Sequence, residues 1–114
     1  RVELRCPDPA CNPYLSLAVC LAAGLDGIER KLEAPAPVND NIFAMDDATR
    51  AAHGIDSLPG SLKEALQAMK QDRLILDMLG EHVARAYIEG KEKEWDAYRT
   101  NVSQWELEQY LVKY

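Results

Sequence analysis

The sequence predicts a mainly α fold opened by one N-terminal β-strand with a polar, active-site-like face. Three observations carry this. Residues 1–6 alternate charged and apolar, residues 15–25 are almost wholly apolar or small, and two Ser-x-x-Glu boxes open later amphipathic runs. With 114 residues, 47% of them hydrophobic, the chain is one domain at most and has material for a small core.

The strand comes first. Side chains alternate between faces, so Arg1, Glu3 and Arg5 share one side and Val2, Leu4 and Cys6 the other. Three charges on one face cannot enter a core without partners, but they can line a polar site that holds cations and anions. Pro7 and Pro9 end the strand, because proline lacks the ladder donor. Asn12-Pro13 then starts a helix, with asparagine at the N-cap and proline at the first helical position.

That helix is predicted over residues 13–32. It is apolar nearly all round, as expected of a helix buried inside a larger body. Pro35 and Pro37 stop it, and residues 34–60 read as a loop-rich segment with one helical turn near Asp46–His53. Ser61 and Glu64 form a capping box before Leu62, Ala65, Leu66 and Met69. Asp72 caps a second short helix that ends at Gly80, and residues 81–99 form a long charged helix. Ser103 and Glu106 open a last amphipathic helix to Tyr114, too short to be stable alone and predicted to dock on a neighbouring surface.

Bulk properties narrow the function. A formal charge of −6 and a pI near 4.8, with no basic patch, argue against nucleic acid as a partner. No run of about 18 apolar residues is present, so a membrane span is not expected. Cys6, Cys11 and Cys20 are odd in number and lack zinc-site spacing, which fits reduced, structural thiols and a cytoplasmic setting. His53 and His82 stand in polar contexts without partners and read as surface residues. The start at Arg1, inside a strand that cannot pair with itself, reads as a piece of a longer protein.

The run R-V-E-L-R-C-P-D-P-A-C-N-P-Y-L resembles the C-terminal signature of type I glutamine synthetase: Arg-x-Glu-x-Arg, then Pro-Asp-Pro, then Asn-Pro-Tyr-Leu. The resemblance continues through Ala23-Gly24-Leu25-Asp26-Gly27-Ile28, Gly60-Ser61-Leu62 and Trp105-Glu106-Leu107-Glu108-Gln109-Tyr110. It implies that residues 1–114 are the C-terminal fragment of an α+β catalytic domain. The implied reaction is glutamate–ammonia ligation in two steps: ATP phosphorylates the glutamate side chain, and ammonia displaces phosphate from the γ-glutamyl phosphate.

On pattern alone, Glu3 between arginines reads first as a surface ion pair. The resemblance turns it into a ligand for Mg²⁺ or Mn²⁺, a hard ion suited to carboxylate and phosphate oxygens. It likewise makes Arg5 the contact to substrate glutamate and its acyl phosphate, and Arg1 a contact to the ATP phosphates, where a solvated arginine is the plain alternative. No residue here is implied as catalytic, and the resemblance places the other metal ligands, the ammonium site and most nucleotide contacts upstream, so the fragment alone is expected to be inactive. The resemblance also implies a dodecamer of two stacked rings, with the C-terminal helix reaching the opposite ring. Its adenylylated members carry a tyrosine where this chain reads Asn41-Ile42-Phe43. Phe43 has no hydroxyl, which implies a branch controlled by metabolites or protein partners. Two other readings stay open: a sister ligase joining glutamate to another amine, and a helical assembly module without catalysis.

Overall fold

The computed structural model describes residues 3–111 and 113. The order is α1 (Pro13–Glu29), a 3₁₀ turn (Ile42–Ala44), α2 (Asp47–Ala52), α3 (Leu62–Gln71), α4 (Arg73–Arg99), α5 (Gln104–Glu106) and a π turn (Leu107–Leu111). The mainly helical prediction holds; the strand does not. Among the described residues there is no strand, and residues 3–6 run without regular structure. A strand exists by pairing, and among the described residues no second strand is present to complete a ladder.

Local chemistry sets the helix ends. The Asn12 side chain accepts from the Tyr14 and Leu15 amides at 2.9 and 3.3 Å, and Pro13 occupies the first turn. At the other end Lys31 turns left-handed, with φ 52°. The Leu32 amide reaches Gly27 O at 2.9 Å and the Lys31 amide reaches Ile28 O at 3.1 Å, a Schellman closure. The helix therefore stops at Glu29, short of the predicted residue 32. The prolines beyond were the visible stop signal, whereas the closure uses a lysine where glycine is usual.

Asp46 caps α2 through Thr49, whose hydroxyl and amide hold the carboxyl below its usual range; the Asp46 Oδ1 to amide distance is 2.8 Å. Gly54, at φ 65°, closes that helix with a second Schellman pattern. Ser61 accepts from the Glu64 amide at 3.2 Å, but Glu64 reaches back to the Gly60 amide at 2.8 Å, one residue earlier than the capping box predicts. Asp72 serves two helices at once. Its amide bonds Met69 O at 3.1 Å at the end of α3, and its carboxylate accepts from the Ile75 amide at 3.2 Å at the start of α4. Gly80, at φ 73° and ψ 157°, breaks α4 where the sequence placed a helix end.

The packed centre is the α3–α4 hairpin, with α1 laid against α4. Only Leu66 and Ala84 are fully buried among the described residues, each 5% exposed. Leu17, Leu21, Leu25 and Ile28 of α1 stay exposed, as the all-round apolar pattern foretold for a helix needing more cover than this chain gives. The radius of gyration is 18.4 Å, against about 13 Å for a compact domain of this size.

The predicted last helix is cut to one α turn and one π turn in its described part. The Ser103–Glu106 capping box is complete, with bonds of 3.2 and 2.7 Å. Trp105 and Tyr110 meet edge to face at 6.1 Å. Residues five apart become neighbours where the turn widens to π geometry.

Candidate functional site

Residues 3–6 keep part of the predicted alternation without the strand. Leu4 and Cys6 line a cleft of about 340 Å³ with Leu15 and Val19 of α1, Met69 of α3 and Tyr87 of α4. Glu3 and Arg5 are exposed and paired with each other: Arg5 Nε donates to Glu3 Oε1 at 2.5 Å. Their side chains are 57% and 85% exposed. Leu4 is nevertheless 54% exposed and Cys6 is exposed, so the cleft covers this side of the segment only in part. Arg1 lies outside the described residues.

A turn fixes how this segment enters α1. The Ala10 amide donates to Asp8 Oδ1 at 2.7 Å and the Cys11 amide to Asp8 O at 2.9 Å. Sequence reasoning gave Asp8 no part, although an aspartate between two prolines is itself a turn signal. On α4, Lys91 donates to Glu94 at 2.6 Å, and that hydrogen bond holds its ammonium above the usual range.

Of the other candidates, the histidines lie on the surface as the sequence suggests, whereas the three cysteines, read as structural thiols, are exposed. Cys6, Cys11 and Cys20 are free thiols bordering the same cleft. His53 caps the end of α2 and sits 3.2 Å from Thr49 O, and His82 is exposed. No group of three or more His, Cys, Asp or Glu side chains able to hold a metal occurs among the described residues. Glu3, the carboxylate that the motif predicts as a metal ligand, therefore stands outside any such group. Mg²⁺ does not require one, since it takes one or two carboxylates together with phosphate oxygens and waters. No helix among the described residues is long and apolar enough to cross a membrane.

Comparison with known proteins follows the same segment through the whole chain. A family model described as the glutamine synthetase catalytic domain matches residues 1–110. A glutamine synthetase of Clostridium saccharobutylicum is 57% identical over 114 residues, all of this chain and 26% of its own length. One of Thermus thermophilus is 54% identical over the same 114 residues, again 26% of its length. One of Methanococcus maripaludis is 53% identical over 111 residues, 97% of this chain and 25% of its own. The chain spans about a quarter of the length of the curated relatives it matches.

Proposed function

Because this chain belongs to the glutamine synthetase family, we propose that it is the C-terminal part of the catalytic domain of a cytoplasmic, ATP-dependent glutamate–ammonia ligase. The observation that carries the reading is likeness above 50% along the full chain to relatives of that name. It is supported by an exposed carboxylate–guanidinium pair at the predicted binding positions.

Arg5 binds the carboxylate of glutamate and then the acyl phosphate, since its planar guanidinium stays charged and can grip two oxygens. Glu3 contributes one hard oxygen to a divalent ion, Mg²⁺ or Mn²⁺. That ion, when bound, supplies positive charge that offsets charge on the transferring phosphoryl group. Arg1 takes the ATP phosphates on the strength of the motif. The remaining site groups belong to other parts of the enzyme, so the 114-residue chain alone makes no glutamine. The C-terminal turns, with Trp105, Tyr110 and Leu111 exposed, dock on another subunit and help hold a dodecamer.

The test uses the full-length protein that contains this chain. It should form glutamine from glutamate, ammonia and ATP, and prefer ammonia to larger amines; preference for another amine would move it to the sister ligases. Glu3→Ala should cut turnover about 10²-fold, the scale of losing one electrostatic contact to the transition state, and should change the Mg²⁺ or Mn²⁺ dependence. Unchanged turnover and metal dependence would remove Glu3 from the site.

A further inference from the structure

Packing alone does not fix where Arg5 stands relative to α1. Residues 3–14 are all exposed, so the path from Arg5 to the helix is set by backbone dihedrals and hydrogen bonds. Pro7, Pro9 and Pro13 each hold φ at about −65° and carry no amide hydrogen. Asp8 and Asn12 bond the amides that follow them. The Ala10 amide donates to Asp8 Oδ1 at 2.7 Å and the Cys11 amide to Asp8 O at 2.9 Å. The Tyr14 and Leu15 amides donate to Asn12 Oδ1 at 2.9 and 3.3 Å. The first set closes a turn with aspartate at its first position and proline at its second, a favoured pattern for that geometry. The second caps α1, which lies against α4. Two side-chain oxygens thus join Arg5 to the packed part of the molecule.

We infer that Asp8 is a positioning residue for substrate binding: by closing the turn at Ala10 it holds Arg5 at the angle to α1 from which the guanidinium meets the carboxylate of glutamate. The inference rests on the role proposed for Arg5 above. Asp8 needs no contact with substrate. Its oxygen works as a hydrogen-bond acceptor, which asparagine reproduces in such turns and alanine does not. Without the bond, Pro9 to Cys11 sample other turn geometries, and only some of them present Arg5. One net hydrogen bond shifts such an equilibrium by about two- to ten-fold. Apparent affinity falls by the same factor as the competent fraction.

The experiment uses the full-length protein, with steady-state kinetics at varied glutamate. Asp8→Ala should raise the KM for glutamate about two- to ten-fold, and Asp8→Asn should keep the parent value. A merely structural lesion removes active enzyme, which lowers kcat and leaves KM alone. The readout therefore stands even if Asp8→Ala melts at a lower temperature. An unchanged KM in Asp8→Ala overturns the inference, as does Asp8→Asn impaired as much as Asp8→Ala. Arg5→Lys separates the two failures. If it raises the glutamate KM while Asp8→Ala does not, the role of Arg5 stands and the positioning role falls. If Arg5→Lys leaves that KM unchanged, the site reading falls and takes the positioning role with it.

Discussion

Lys70 on α3 and Glu92 on α4 form an ion pair across the helical hairpin, between residues 22 apart in sequence. Leu66, one turn before Lys70 on α3 and lining the same cleft as the pair, is buried to 5% exposure. The charged contact is half-exposed and screened by water, so Lys70→Ala should cost about 0–1 kcal/mol. Leu66→Ala should cost about 2 kcal/mol or more, through lost burial and the gap left behind. Urea unfolding of the two variants, followed by circular dichroism, checks the order. A Lys70 variant more damaged than the Leu66 variant would reverse it.

Gly80 adopts a backbone conformation closed to residues with a side chain. The space around it is empty, so a methyl group meets no neighbour and the cost is backbone strain alone. Gly80→Ala should destabilise by about 1–3 kcal/mol. The competing outcome, a straightened and equally stable helix, would show as a gain in helical signal without loss of melting temperature.

The Glu106 carboxyl lies below its usual range because the Ser103 backbone amide, and then the Ser103 hydroxyl, bond the charged form. A lowered folded-state value means stability present above the ordinary 4.5 and lost as pH falls through the lower folded value. The last α turn should therefore fray below about pH 4.5, with the Ser103 amide resonance moving with it. Glu106→Gln should remove that pH dependence. An amide that titrates alike in both proteins would show that the box does not hold in solution.

The uncovered side of α1 offers Leu17, Leu21, Leu25 and Ile28 to solvent. A contiguous apolar face of this kind seeks a partner. The 114-residue chain by itself should self-associate and bind an apolar dye, as judged by sedimentation. A dye-silent monomer would mean that α1 repacks against its own chain.

Phe43 is fully exposed, in a 3₁₀ turn whose start is capped by Asn41 at 3.2 Å from the Phe43 amide. Its ring has no hydroxyl to accept a nucleotidyl group. Full-length protein incubated with ATP and a competent adenylyltransferase should gain no AMP at residues 39–50 by mass spectrometry, whereas Phe43→Tyr should gain one. An adduct on the unsubstituted segment would sink the prediction.

The helices were legible wherever a local signal decided the matter. Asn12-Pro13, Asp46, Ser61, Asp72, Gly80 and Ser103 mark caps or breaks by their own side chains or by the lack of one, and the chain breaks or starts where they stand. The strand predicted from Arg1 is not seen among the described residues, because alternation reports which side a residue faces, while a strand also needs a pairing partner elsewhere. The end of α1 was misplaced because Lys31 takes a conformation its type seldom adopts. At the site, Glu3 and Arg5 were picked out by motif and alternation together. Their contact with each other follows from neither the family's roles nor the composition; it is the ion-pair reading that the pattern alone favoured.

Asp72 leaves no slack between α3 and α4. One residue ends the first helix and begins the second, so an inserted or deleted residue there would rotate everything after it by about 100° about the helix axis. It would also pull Leu66 and Glu92 out of register with their partners. The segment between residues 33 and 40, which carries no helix or turn bonds of its own, can absorb extra residues at small entropic cost. Among descendants of this sequence, length should drift between α1 and the 3₁₀ turn and stay fixed from Ser61 to Arg99.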